Sequence, residues 1–164
     1  MRRILLALVL VTGCGADAGN DHAPAAAKAV DLSSLTGLYE GGAALQPSQM
    51  CMIGSAERAS FGLVQWSGGN MGSCAGSGTA ERQGEVLRLA MAGDQPCTFD
   101  ARMEGGRVTL PSVVPESCAY YCGKDASLGG AAFDKKGGAK EDALRARDLV
   151  GEPLCAGIGP PPKP

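Results

Sequence analysis

Residues 85–91 read EVLRLAM and residues 97–103 read CTFDARM, and apolar side chains recur at every second position along both segments. The recurring positions are Leu87, Leu89 and Met91 in the first segment and Cys97, Phe99, Ala101 and Met103 in the second. Successive side chains of an extended chain point to opposite faces, so a period of two predicts β-strands that bury one face.

Turn signals separate these two strands from their neighbours. Gln83-Gly84 precedes the first strand and Glu104-Gly105-Gly106 follows the second, and glycine supplies the positive φ of tight turns. Residues 79–82 and 107–110 continue the pattern beyond the turns. The four segments predict a mainly β domain, in which a small antiparallel meander closes into a barrel or a sandwich.

Further strands are predicted on both sides of the meander. Upstream, residues 35–40, 50–53 and 59–66 carry strand signals. The last of these is apolar on both faces, as in a strand that is buried on both sides. Downstream, residues 131–134 predict one more strand.

Residues 139–150 predict a short C-terminal helix. Acidic residues lie near its start and arginines nearer its end, which suits the helix dipole. Its predicted buried stripe consists of Ala139, Ala143, Ala146 and Val150. A strand is the alternative, because apolar and polar residues also alternate towards the end of this segment.

The start of the chain carries a targeting signal. Arg2 and Arg3 precede an unbroken apolar run over residues 4–11, which is too short to cross a bilayer but fits a secretory signal. Val11-Thr12-Gly13-Cys14 follows at once, and here the sequence resembles the lipobox of the bacterial lipoprotein family. An ordinary signal peptide with an unrelated cysteine is the alternative.

The resemblance implies that the Cys14 thiol receives a diacylglyceryl group and that the chain is then cleaved before it. Residues 1–13 would be the signal peptide, and lipid on Cys14 would hold the protein on a membrane. Gly15 stands where lipoproteins retained in the inner membrane carry Asp. The resemblance therefore points to the cell envelope, at the outer membrane and facing the periplasm.

Composition divides the remainder into three parts. Residues 14–30 carry no large apolar side chain before Val30 and are predicted to form a lipidated tether. Residues 157–164 form a proline-rich tail. The intervening residues 31–156 are enough for a single β-rich domain with one core.

Six cysteines follow Cys14, namely Cys51, Cys74, Cys97, Cys118, Cys122 and Cys155. An even number in an exported chain predicts three disulfides that staple the domain. A metal site is not predicted, because no CxxC pair exists and the one histidine, His22, lies in the tether. The sequence alone does not choose among the pairings.

The meander predicts where four of these cysteines lie. If the turns at 83–84 and 104–106 share one end of the sheet, Cys74 and Cys97 fall towards the other end. The chain returns there through Cys118 and Cys122, which bound a predicted tight turn. We therefore expect these four cysteines to cluster at one rim.

Charge and motifs exclude several functions. Loss of Arg2 and Arg3 leaves 13 basic and 17 acidic residues, a net charge of −4, and no basic stripe for nucleic acid appears. No phosphate-cradling loop or dinucleotide fingerprint appears either, so no cofactor is predicted. The expected partners are the membrane, through Cys14, and an unknown envelope protein or small ligand.

A catalytic site is not predicted. Gly72-Ser73-Cys74-Ala75-Gly76 has the form of a nucleophile elbow, and Ser77 is a second nucleophile to weigh, but the folded part has no histidine to act as a base. The carboxylates Asp94, Asp100 and Glu104 are close in sequence and are expected to be solvated at the surface. We predict a binding or structural protein rather than an enzyme.

One further resemblance gives an alternative function. Gly76-Ser77-Gly78-Thr79 is similar to the Ser-Gly-Ser-Gly segment of the membrane-bound C-type lysozyme inhibitors, which are small lipid-anchored β-barrels with disulfides. It implies that Ser77 would enter the cleft of an envelope-degrading enzyme such as lysozyme. The first serine is Ala75 here, and the tyrosine and second motif of that family are missing.

Overall fold

The computed structural model describes residues 29–67 and 72–161, which form a closed barrel of eight strands. The strands are β1 Gly37–Ala43, β2 Gln46–Gly54, β3 Arg58–Ser67, β4 Gly72–Gln83, β5 Val86–Met91, β6 Thr98–Glu104, β7 Arg107–Thr109 and β8 Ala132–Gly137. Each strand pairs antiparallel with the next, and β8 pairs with β1. The predicted mainly β, antiparallel barrel is confirmed. Residues 1–13 and Cys14 lie outside the described residues.

The predicted meander is present, with Leu87 opposite Ala101 and Leu89 opposite Phe99. Strand β4 is much longer than residues 79–82, because its glycine-rich first half also pairs with β3. Strands β1 and β2 likewise extend beyond their predicted limits, to a two-residue hairpin turn after Ala43.

One face of every strand fills the inside of the barrel. The largest fully buried side chains there are Tyr39, Phe61, Phe133, Leu35, Met50, Met52, Leu63, Leu87, Leu89, Met103, Leu110 and Leu128. Burial of these side chains stabilises the fold by about 25 cal/mol for each Å² of apolar surface that is removed from water. The interior is a packed core.

A second apolar cluster lies outside the barrel, where the C-terminal segment covers β1 and β2. Its buried members are Leu38, Cys51, Ile53, Ala143, Ala146 and Cys155, with Leu154 and Ile158 packed against them. Leu154 also reaches β3, because a Cβ on Gly62 would lie 3.0 Å from its Cγ. This cover explains why β3 is apolar on both faces.

The predicted helix over residues 139–150 is short, as helix α1 spans only Lys140–Ala143. Ala143 and Ala146 are buried as expected, but Ala139 is exposed and Val150 is 81% exposed. The chain turns back after α1, since Leu154 N–H donates to the Ala146 carbonyl and Cys155 is bonded to Cys51. No helix among the described residues has the length and apolarity that crossing a membrane requires.

All six cysteines after Cys14 form disulfides: Cys51 with Cys155, Cys74 with Cys122, and Cys97 with Cys118. The last two lie at the same end of the barrel, so the predicted cluster of four cysteines is confirmed. They hold residues 110–131, here called the lid, across the end of the barrel where β7 ends and β8 begins. We call this the lid end.

The opposite end, here called the N-terminal end, is closed by residues 29–36. Leu35 is fully buried, and its carbonyl accepts a hydrogen bond of 2.7 Å from the Tyr39 hydroxyl. Lys135 points inwards from β8 and donates from Nζ to the carbonyls of Asp31 and Ser34, both at 2.6 Å. Its ammonium also lies 5.6 Å from the centre of the Tyr39 ring.

Candidate functional site: a cleft at the lid end

A cleft of about 660 Å³ opens at the lid end, where β1 and β8 separate. The ladder between the two strands ends at Glu40 and Asp134, and residues 41–43 pair with β2 alone. A Cβ on Gly41 would lie 1.8 Å from the carbonyl oxygen of Ala132, so only glycine fits at the point where the strands part. The cleft opens there because the pairing of β1 with β8 ends before the two strands reach the lid end.

The walls of the cleft combine small and charged residues. The small residues are Gly41, Gly42, Ala43, Ala44, Gly130, Ala131 and Ala132, and the charged ones are Glu40, Arg107, Asp134 and Lys136. Two of the small residues, Gly130 and Ala131, belong to the lid. The two disulfides that fix the lid therefore also fix one wall of the cleft.

Two of the four charged side chains in the cleft form an ion pair, and a third is hydrogen-bonded to a neutral amide. Arg107 Nη1 lies 2.6 Å from Asp134 Oδ1, and Gln49 Nε2 donates to Glu40 Oε1 at 2.9 Å. Lys136 is exposed and makes no ion pair with any described residue. Two acidic and two basic side chains line the cleft, so its net charge is zero.

Two polar side chains lie at the inner margin of the cleft. Ser48 is only 4% exposed, and its Oγ accepts a hydrogen bond of 3.0 Å from the Trp66 backbone N–H. Gln65 Oε1 is buried and accepts no hydrogen bond from the described residues. An unsatisfied buried acceptor costs about 1–3 kcal/mol, and a water molecule or a ligand donor that reached Gln65 would remove this cost.

Trp66 is the one tryptophan of the chain, and it lines the cleft while partly exposed. An indole ring offers a broad apolar face with a single N–H donor at its edge. Neither Trp66 nor Gln65 lies in a sequence motif that predicts a binding role. The available signal was the Gly41-Gly42 pair at the end of a predicted strand, where glycine marks a close backbone approach.

The residues considered for catalysis do not converge. Cys74 is bonded to Cys122, Asp100 is paired with Arg88 at 3.0 Å, and Glu104 is paired with Arg102 at 3.1 Å. The Asp100 carboxylate raises the pKa of the Arg88 guanidinium through its hydrogen bond. Within residues 29–67 and 72–161, no three His, Cys, Asp or Glu side chains group as metal ligands.

Ser77 lies elsewhere on the barrel, on the outer face of β4. Both Ser77 and Thr79 are exposed, and they border a shallow groove of about 460 Å³ whose other side is formed by Ile158, Gly159 and Pro160. The segment that is similar to the lysozyme inhibitors is thus accessible from outside.

Burial shifts the pKa of two groups at the N-terminal end. Loss of solvent lowers the pKa of Lys135, and the nearby Asp31 carboxylate opposes this. Burial raises the pKa of the Tyr39 phenol well above its ordinary value. Both groups are already engaged in holding residues 29–36, so we assign them a structural role.

Comparisons of the chain with models of protein families, with curated proteins and with solved structures find no significant match.

Proposed function

We propose that this chain is a lipoprotein of the bacterial cell envelope and that its barrel is a non-catalytic binding module. Lipid on Cys14 would hold it at the outer membrane, facing the periplasm. The observation that carries the proposal is the position of the cleft, which opens at the lid end. The described chain begins at the N-terminal end, so the cleft lies at the end of the barrel opposite the one from which the chain leads back to Cys14.

The disulfides support an exported location. Three bonds join all six cysteines of the barrel, and such bonds form and persist in oxidising compartments. They also fix the lid, which supplies one wall of the cleft. A preformed wall favours binding, because less conformational entropy is lost when a ligand binds.

The chemistry of the cleft supports binding rather than catalysis. Its arginine is neutralised by Asp134, and Glu40 is held by Gln49. Such paired groups orient a ligand through hydrogen bonds. The partner would be an envelope component that is soluble enough to reach an open cleft, with nucleic acid disfavoured by its balanced charge.

Metabolic labelling tests the anchor. We expect radioactive palmitate to label the full chain, which should fractionate with the outer membrane, and not to label the Cys14→Ser variant. Mass spectrometry of the mature amino terminus is the second measurement. An intact, unmodified terminus beginning at Met1 would contradict the proposal.

Inhibition of an envelope-degrading enzyme such as lysozyme is the second candidate, favoured by the exposure of Ser77 on the outside of a closed barrel. It is tested by lysozyme turnover in the presence of the mature protein, with Ser77→Arg as the disrupting variant. Ser33→Arg, at the N-terminal end, is the matched control. No inhibition by micromolar wild-type protein would eliminate this candidate.

A further inference from the structure

We propose that the cleft at the lid end binds a short N-acetylated saccharide. The inference rests on the proposed binding role and names the ligand class for it. Its basis is the combination of paired polar groups, one partly exposed indole, a small-residue wall and an unsatisfied amide acceptor.

The paired polar groups favour a ligand rich in hydroxyl groups. The Arg107 guanidinium has five N–H donors and Asp134 only part of its acceptor capacity engaged, so their ion pair leaves both donors and acceptors available. On β1, Glu40 keeps free acceptor capacity beside the hydrogen bond from Gln49, whose own side-chain oxygen accepts from the Arg147 N–H. A hydroxyl both donates and accepts, and it suits such a mixed surface better than an anion does.

The balance of charge in the cleft also favours an uncharged ligand. The cleft has no net charge, and the one basic side chain that it leaves outside an ion pair among the described residues, Lys136, is an exposed ammonium that water screens, so a phosphate or a polycarboxylate would gain little there. Its volume of about 660 Å³ lies within the usual range for ligand pockets, roughly 300–1,000 Å³. It is roomy for a single sugar ring and suits a short oligosaccharide.

Trp66 and the small residues supply the apolar part of the site. A pyranose ring has an apolar face of C–H groups, which packs against the face of an indole. Gly42, Ala43 and Ala132 leave space opposite for the ring to enter. Larger side chains at these three positions would fill the cleft.

Gln65 specifies the acetamido group. Its Oε1 is a buried acceptor with no donor among the described residues, and an acetamido substituent carries an N–H donor beside a methyl group. The terminal torsion of glutamine is soft, so the carboxamide can turn its oxygen towards the cleft. The methyl group would then lie near Ala131 and Ala132, which form an apolar wall.

The single tryptophan makes the test specific to the cleft. The mature lipidated protein, in a detergent without a sugar head group, is titrated with tri-N-acetylchitotriose and with cellotriose while Trp66 emission is followed. Calorimetry on the same samples gives Kd independently. We expect the acetylated trisaccharide to change the emission and to bind at least tenfold more tightly than cellotriose.

Gln65→Ala separates a binding role from a structural one. It should raise Kd for tri-N-acetylchitotriose about tenfold, which corresponds to about 1.4 kcal/mol, and leave cellotriose unaffected. Its thermal stability should not fall, because the substitution removes an unsatisfied buried acceptor. Gln95→Ala, in the exposed loop between β5 and β6, is the matched control and should bind like wild type.

Three results would overturn the inference. Equal affinity for the two sugars, or an unchanged Kd in Gln65→Ala, would remove the acetamido assignment. No binding of either sugar at millimolar concentration would remove the ligand class. The binding role itself would fail separately, if neither sugar nor any fraction of envelope small molecules changed Trp66 emission.

Discussion

The two ends of the barrel are closed by opposite means. At the lid end, 22 residues cross the opening, of which three apolar ones are buried (Leu110, Cys118 and Leu128) and five more are only partly buried against the core. Two disulfides hold this lid, one through Cys118 and one through Cys122. At the N-terminal end, eight residues close the opening with Leu35 and with hydrogen bonds from Lys135.

The difference follows from the conformational entropy that each closing segment loses on folding. A long segment that buries only three of its apolar side chains fully gains less from burial for each residue that it orders, and covalent links reduce the entropy of the unfolded chain. A short segment loses less entropy, so one buried leucine and a few hydrogen bonds are sufficient. The lid end, which is held by two disulfides, is also the end that carries the cleft.

The largest effect is expected from opening the lid. Cys74→Ala combined with Cys122→Ala removes a link between residues 48 apart and should lower the free energy of unfolding by about 2–5 kcal/mol. Trypsin should cut faster after Lys124, which is exposed in the lid. Urea unfolding and the rate of this cleavage are the measurements.

The remaining disulfide provides the control for the lid. Cys51→Ala combined with Cys155→Ala frees the C-terminal segment on the outside of the barrel, so it should destabilise the protein without faster cleavage after Lys124. If both double variants expose Lys124 equally, the lid is held by the barrel as a whole and not by its own disulfides.

The next effect is expected at the N-terminal end. Lys135→Met keeps the length of the side chain but leaves the carbonyls of Asp31 and Ser34 without their donor. We expect a loss of about 1–3 kcal/mol and faster hydrogen exchange confined to residues 29–36. The neighbouring, exposed Lys136→Met is the matched control and should leave both measurements unchanged.

The sequence predicted those parts of this comparison that depend on local pattern. Alternation along residues 85–103 and the two glycine turns were enough to predict the meander and to bring four cysteines to one rim. The pairing of Cys51 with Cys155 was not predictable, because it depends on how the C-terminal segment folds back over the outside of the barrel.

The cleft and the N-terminal closure were not predicted, for a related reason. The cleft depends on where β1 and β8 separate, and these strands lie at opposite ends of the domain sequence. Lys135 lies in an Asp-Lys-Lys run that resembles an exposed surface segment. Only closure of the barrel turns Lys135 inwards and leaves its neighbours outside.

A smaller effect is expected from alkaline pH. The Tyr39 phenol has a raised pKa in the folded state, so above its ordinary value of 10.0 the unfolded chain releases a proton that the folded chain keeps. Stability should therefore fall above about pH 10, by at most about 1.4 kcal/mol per pH unit for this group. Unfolding midpoints from pH 9 to about pH 11.5 measure it.

Tyr39→Phe isolates this contribution. The variant loses the hydrogen bond to Leu35, which lowers stability at every pH, but the additional fall above pH 10 should become shallower. Lys135 acts in the opposite direction, since its lowered pKa makes its own contribution rise with pH below 10.5. Equal slopes in wild type and Tyr39→Phe would contradict the assignment.

The smallest effect on stability is expected from an ion pair on the side of the barrel, which takes no part in closing either end. Arg88 and Asp100 lie opposite each other on the outer faces of β5 and β6, with their side chains largely in solvent. Water and salt screen such a pair, so Arg88→Ala should leave the thermal midpoint within experimental error at physiological salt. Lys135 differs because its ammonium is buried against two carbonyls that accept from no other donor within residues 29–67 and 72–161. If Arg88→Ala destabilised the protein as much as Lys135→Met, the N-terminal closure would owe its strength to charge in general and not to buried hydrogen bonds.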